Sequence, residues 1–330
     1  MGPFHMRVLP LDDPAAPSPQ LVVTIGPASG ALVPEMAAAG ATAFRLNASH
    51  LSPASLARAL GDAARACPRT PLVVDLQGAK IRLGRFEPRA LAEGELVRFA
   101  LHAGGGIPLP HAELFAQVRP GNTLSVDDGR VRLRIREVRD DGLTADALDA
   151  GVLQPRKGVN VEPHPVTLHH LTQADRDACE VAARCGVRAF AFSFMSTGAE
   201  AEWLRREVPG CAVIGKIERA EAAGRLDEIA RVVDAVWICR GDLGAQLGPA
   251  RLARFVAAVA PARLGPPVLM AGQVLEHLTG HPEPTRSEVC HLHDLLERGY
   301  AGIVLSDETA IGADPVRAVR TAATLLRMLR

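Results

Sequence analysis

The stretch "CAVIGKIERAEAAGRLDEIARVVDAVWIC", residues 211–239, decides how the chain is read. Its two ends, 211–217 and 235–239, are short, apolar and rich in β-branched residues. The segment between them, 219–231, favours helix by its alanine content and by the spacing of its apolar residues. Strand, helix and strand in that order make a βαβ unit.

The same alternation runs along most of the chain. Strand candidates are 21–25, 42–46, 71–75, 188–193, 211–217, 235–239, 267–271 and 302–306, and amphipathic helical segments occupy 52–66, 172–185, 219–231, 250–261 and 315–329. Eight strands in βα order predict an α/β fold, a (β/α)8 TIM barrel. An open doubly wound sheet is the alternative, but no glycine-rich dinucleotide fingerprint follows the first strand.

The alternation breaks once, over 84–162, where short strand-like runs alternate with the turn signals "GGG", "RPGN", "DDG" and "RDDG". This predicts a small β-barrel-like domain inserted after strand 3, at the end where such a barrel carries its active site. A lid is the functional reading and a passive decoration the bland one. The catalytic barrel is then discontinuous, 19–83 and 163–330, behind a proline-rich flexible tail at 1–18.

Composition narrows the function class. Basic and acidic residues balance at 37 each, and no block of like charge suggests a nucleic-acid or membrane partner, so small-molecule chemistry is expected. The six cysteines, with no C-x-x-C pair, read as reduced core residues of a cytoplasmic protein. No run approaches the ~18 apolar residues of a membrane span, and no signal peptide is evident.

Polar residues gather at the C-terminal ends of the strands. Residues two apart on a strand share a face, which groups Arg45 with Asn47 and Ser49, Lys216 with Glu218, and Arg240 with Asp242. Asp75, Ser193, Ser306 and Glu308 also sit at strand ends. Any one of these is explained by solvent at a strand end, but their joint placement points to one catalytic mouth.

Two carboxylates, Glu218 and Asp242, suit Mg²⁺. The cations Arg45, Arg82, Lys216 and Arg240 suit a phosphoryl group. Lys216 is one of only three lysines against thirty-four arginines. A slim ammonium fits beside a metal at a crowded phosphoryl group where a planar guanidinium does not.

The motifs "VVTIGPAS" (22–29), "RLNASH" (45–50), "VVDLQGAKIRLG" (73–84), "VDDG" (126–129), "RKGVN" (156–160), "IGKIER" (214–219), "CRGDLG" (239–244), "PTRSE" (284–288) and "LSDETAIG" (305–312) resemble those of the pyruvate kinase family, in that family's order. The resemblance implies phosphoryl transfer from phosphoenolpyruvate to ADP, giving pyruvate and ATP. It gives Arg45 and Arg82 the phosphoryl group, Lys216 its stabilisation in transfer, and Glu218 and Asp242 the Mg²⁺ (or Mn²⁺). Substrate contacts fall on Arg45, Ser193, Lys216, Gly241, Asp242 and Gly272. Nucleotide contacts fall on Asn47, His50, Lys157 and Asp128, the last closing over the phosphates from the lid.

Several positions depart from the family pattern. Lys80 stands where the family has glutamate, in "DLQGAKIR", and an ammonium there can supply the charge of K⁺. K⁺ independence is therefore expected, although Asn47, Ser49 and Asp75 match the usual K⁺ ligands. Gly272 replaces the threonine whose hydroxyl helps protonate the enolate, so slow turnover is expected. Leu51, Gln246, Asp307 and Ile311 are further changes, while His291 and His293 read as ordinary helix residues. The family's C-terminal regulatory domain is expected to be absent, which leaves a barrel-to-barrel homodimer open.

Two alternatives stand beside this reading. One is a repurposed barrel acting on another 2-oxoacid or enol phosphate as a lyase, decarboxylase or other phosphotransferase, motivated by Gly272 and Asp307. The other is a non-catalytic relative.

Overall fold

A computed structural model describes residues 19–102, 104–127 and 129–329. The expectations placed on the tail 1–18, on Asp128 and on the His50 side chain lie outside the described residues.

Eight parallel strands close into a barrel: β1 (Gln20–Ile25), β2 (Ala43–Asn47), β3 (Leu72–Leu76), β4 (Ala189–Phe192), β5 (Ala212–Ile217), β6 (Ala235–Cys239), β7 (Val268–Ala271) and β8 (Gly302–Leu305). Each pairs with its sequence neighbours, and β1 closes the ring on β8 with Val22 opposite Val304. The eight sequence segments are these strands, and closure excludes the open sheet. The reason lies in two apolar faces. Parallel strands covered on both sides read as continuous apolar runs, and here Val23, Phe44 and Val74 pack outward under helices while Val22, Ala43 and Val73 fill the interior. Alanine recurs at inward positions on β4 and β5, making room for Trp237 of β6.

Four of the described α-helices around the barrel begin at a side-chain cap. Ser52 caps α1 (Pro53–Ala66), whose Leu56, Leu60 and Ala63 are buried. Thr172 caps α2 (Gln173–Arg184). Thr285 and Glu288 form a reciprocal capping box on α4 (Arg286–Glu297), and Asp314 caps α5 (Pro315–Met328). His291 and His293 lie within α4.

Two local expectations change. The single helix expected over 219–231 is two short ones, Ala220–Gly224 and Leu226–Ala230, broken at Arg225 (φ −118°, ψ 21°). Gly224 just before the break gives the helix little reason to continue. After β6 the chain enters α3 (Arg240–Leu247) at once, with Cys239 as its N-cap. Arg240 and Asp242 are therefore first and third residues of a helix. Two-residue spacing, which would align them on a strand, sets them about 200° apart around a helix axis.

The chain divides into two compact units, one holding the barrel up to Gly78 and from His170 onward, the other spanning Ala79–His169. The second unit is a six-stranded sheet, in order Val159–Glu162, Thr123–Val126, Val131–Arg139, Gly142–Ala147, Leu96–Ala100 and Ile107–Pro108, plus a two-stranded pair. It has its own core, in which Phe99, Leu124, Leu133 and Ile135 are buried. Among the described residues no helix is long and apolar enough to cross a membrane.

The exit from β3 depends on one glycine. Gly78 has φ +57°, and a Cβ there would fall 1.9 Å from the Ser193 carbonyl oxygen. Gly78→Ala is expected to lower unfolding stability by about 2 kcal/mol or more, combining a left-handed backbone with overpacking. Urea denaturation of the two proteins measures it, and equal midpoints would refute the account.

Candidate active site

The alternation that fills the barrel with Val22, Ala43, Val73, Ala191 and Ile214 continues toward the C-terminal ends of the strands with different residues. Two positions on from these come Thr24, Arg45, Asp75, Ser193 and Lys216, and Glu218 follows just beyond β5. One inward face thus changes from apolar to charged along each strand.

These side chains meet. Asp75 accepts from Arg45 Nε at 2.7 Å and Nη2 at 2.5 Å, from Lys216 Nζ at 3.0 and 3.2 Å, and from Ser193 Oγ at 3.0 Å. Lys216 Nζ also donates to Ser193 Oγ at 2.7 Å and lies 3.1 Å from Glu218 Oε1. The other Glu218 oxygen accepts the Phe194 backbone N–H at 2.8 Å. Arg45 Nη1 donates to Thr24 Oγ1 at 2.8 Å, and that hydroxyl donates to the Leu305 carbonyl, tying the cluster to β8.

The cluster is nearly dry: Asp75 is 1% exposed and Lys216 6%. Burial pushes the Asp75 carboxyl up, but Lys216 and Arg45 outweigh it and hold the group below its ordinary value. Burial would likewise release the Lys216 proton, yet Asp75 and Glu218 hold its pKa above the usual lysine range. Lys216 is therefore a fixed cation rather than a proton carrier. The same surroundings, led by burial, push the Cys239 thiol well up and keep it inert.

Asn47 and Ser49 bind one another. Asn47 Oδ1 accepts both the Ser49 N–H at 3.1 Å and its hydroxyl at 2.7 Å, capping the short turn Ala48–His50. Asn47 pairs in register with Asp75 across β2 and β3.

A second group surrounds the start of α3. Gly272, with φ +74°, follows β7, and a Cβ on it would stand 3.5 Å from the Gly241 nitrogen and 3.7 Å from that of Arg240. The bare backbone leaves the positive end of the helix uncovered, an arrangement that suits an anion. Asp242 lies in the same first turn.

The chemistry of these donors bears on a metal. Among the described residues no three His, Cys, Asp or Glu side chains gather into a cage. Glu218 and Asp242 offer only hard oxygens. A pair of carboxylates completed by water and substrate oxygens fits Mg²⁺, which keeps much of its hydration, and does not fit Zn²⁺.

Lys80, Arg82 and Lys157 belong to the second compact unit. There Arg82 Nη1 donates to the Arg156 carbonyl at 3.0 Å, and Lys157 Nζ pairs with Asp127 at 3.0 Å. The Lys80 stem lies near Gly158, 3.7 Å from where a Cβ would be.

Two participants escape the sequence reading. Thr24 holds the parity of Val22 on β1, so the two-residue rule could have found it. Phe194 has a left-handed backbone, φ +57°, that aims its N–H at Glu218, and nothing in its residue type signals this.

Comparison with known proteins gives a match to the family model described as the barrel domain of pyruvate kinase, over residues 16–319. A pyruvate kinase of Agrobacterium vitis is 37% identical over 321 residues, covering 91% of this chain and 66% of its own length. One from Methylorubrum extorquens is 32% identical, covering 92% and 66%. Pyruvate kinase II of Salmonella typhimurium is 32% identical, covering 91% and 67%. The chain thus spans about two thirds of the length of these relatives.

The depressed Asp75 carboxyl sets a pH dependence. Its contribution to stability is present above the ordinary aspartate range, near 4, and is lost as pH falls through the lower folded value. Asp75→Asn, which strands the buried Lys216 ammonium and the partly buried Arg45 guanidinium, is expected to cost about 3–5 kcal/mol at neutral pH. The gap between wild type and variant should narrow on acidification below about pH 4. Chemical denaturation across pH checks this, and a gap independent of pH would refute it.

Proposed function

Because the chain belongs to the pyruvate kinase family, we propose that it transfers the phosphoryl group of phosphoenolpyruvate to ADP, with Mg²⁺ and without K⁺. The observation that carries this reading is the buried Lys216 ammonium, held 3.0 Å from Asp75 and 3.1 Å from Glu218 at the C-terminal end of the barrel.

In the proposed reaction the bond between phosphorus and the enol oxygen breaks as a β-phosphate oxygen of ADP bonds to phosphorus. Carbon 3 of the resulting enolate then takes a proton to give pyruvate. Arg45 and Lys216 bind the phosphoryl oxygens, a role that the family pattern also gives to Arg82. Lys216 is already oriented by three acceptors and needs little reorganisation as charge redistributes. The substrate carboxylate takes the amides of Gly241 and Asp242 at the start of α3, next to Gly272, with Ser193 lining the site. Glu218 and Asp242 would hold Mg²⁺ (or Mn²⁺), which when bound would supply positive charge to offset the charge that develops in the reaction. The family pattern gives Asn47 and His50, and separately Lys157 and Asp128, to the nucleotide.

Two observations support K⁺ independence. Both Asp75 oxygens already accept from Arg45, Lys216 and Ser193, and Asn47 Oδ1 already accepts twice from Ser49. Asp75 and Asn47 are thus committed to internal donors and Ser49 gives its own hydroxyl proton to Asn47, while Lys80 stands in the sequence where the family has glutamate.

ATP formation from phosphoenolpyruvate and ADP with Mg²⁺ is the test. Lys216→Ala is expected to lose at least about a hundredfold in kcat, as loss of an electrostatic stabiliser does, and K⁺ to make less than a twofold difference. No activity above the variant would sink the assignment and favour the reading in which Gly272 and Asp307 redirect the site to another 2-oxoacid or enol phosphate.

Gly272→Thr supplies a hydroxyl beside the α3 amides. It is expected to raise kcat by about tenfold or more, where enolate protonation limits turnover. It should also lower Tm, since a β-branched residue resists φ +74°. Unchanged kcat would remove Gly272 as the cause of slow turnover.

A further inference from the structure

The turn after β7 places two consecutive residues in the left-handed region, Gly272 at φ +74° and Gln273 at φ +54°. Glycine enters that region freely, whereas glutamine must be held there by its surroundings. The holding group is visible. Arg240 Nε donates to the Gly272 carbonyl at 3.0 Å, and Arg240 Nη2 donates to the Gln273 carbonyl. At the far end of the turn, the Leu275 N–H donates to Glu308 Oε1 at 3.4 Å, while Glu308 Oε2 accepts the Ser306 N–H at 2.7 Å.

Arg240 is also the first residue of α3, and its backbone nitrogen and that of Gly241 border the space where a Gly272 side chain would stand. One residue therefore carries an amide of the helix start and, through its side chain, grips the turn facing that start.

We propose that Arg240 is a positioning residue, whose guanidinium fork fixes the strained turn at Gly272 and Gln273 against the first turn of α3, where the substrate carboxylate binds. This role rests on the phosphoenolpyruvate reading for the identity of the carboxylate, but the grip on the turn does not. It replaces the sequence expectation that Arg240 joins the cations around the phosphoryl group. Its two bonded donors face the Gly272 and Gln273 backbone carbonyls rather than the strand-end cluster around Asp75. A fork spanning two successive carbonyls also explains arginine here, since a lysine ammonium on a flexible stem does not reproduce that planar geometry.

The test is a double-substitution cycle on the full chain with Arg240→Met, Arg240→Lys and Gln273→Gly, read by Tm and by KM for each substrate. Gln273→Gly removes the strain that the fork holds. The Tm loss from Arg240→Met should therefore be at least halved in the Gln273→Gly background, and Gln273→Gly alone should keep KM for phosphoenolpyruvate within twofold. Both Arg240 variants should raise KM for phosphoenolpyruvate about tenfold while leaving KM for ADP within twofold, lysine doing no better than methionine. Additive Tm losses, or a lysine variant that keeps the wild-type KM, would overturn the proposal. If the wild type makes no ATP yet the Tm cycle shows coupling, the grip stands and the reaction assignment falls with the carboxylate role. If the wild type is active and the Tm losses add, the grip alone falls.

Discussion

Asp75 lies 1% exposed between Arg45 and Lys216, and the top of the barrel depends on that contact. A buried carboxylate or ammonium without partners costs several kcal/mol. The three groups are therefore mutually conditional: Lys216 can be held dry and Arg45 largely covered because one anion takes five donor contacts, and Glu218 brings the cluster to charge balance. The arrangement contributes geometry more than net stability. It holds two positive groups in place with little freedom to reorganise, which is what stabilisation of a transferring phosphoryl group requires. An incoming phosphoryl group would meet charges already fixed in direction.

Much of this was legible in the sequence because two simple periods carry it. Strand–helix alternation gave eight segments that are the eight barrel strands. The two-residue rule grouped Arg45 with Asn47 and Lys216 with Glu218, Asp75 and Ser193 fell at strand ends, and the shared direction of parallel strands made them converge at one mouth. Less legible was anything set by long-range pairing or by backbone conformation. Asp75 and Lys216 are 141 residues apart, and no local pattern says that one neutralises the other. Arg240 and Asp242 look like strand-end neighbours, but the chain turns into α3 at Cys239, so the period that relates them is helical. The left-handed Phe194 and Gln273 carry no signal in their residue types, and both place backbone groups that other side chains bind.

The scarcity of lysine takes a sharper meaning from the geometry. From residue type alone the case for lysine is size, a slim ammonium fitting where a broad guanidinium would crowd. The structure adds direction. Lys216 Nζ contacts the Asp75 carboxylate, the Ser193 hydroxyl and the Glu218 carboxylate, three partners carried by β3, the end of β4 and the end of β5. An ammonium has three donors arranged around one atom, which can diverge toward three partners, whereas the guanidinium fork confines its donors to one plane. The two arginines illustrate the complement. Arg45 presents Nε and Nη2 side by side to one carboxylate oxygen of Asp75, and Arg240 presents the same pair of nitrogens to two successive carbonyls. Where the acceptors lie abreast the chain uses arginine, and where they surround a point at the centre of the barrel it uses one of its three lysines.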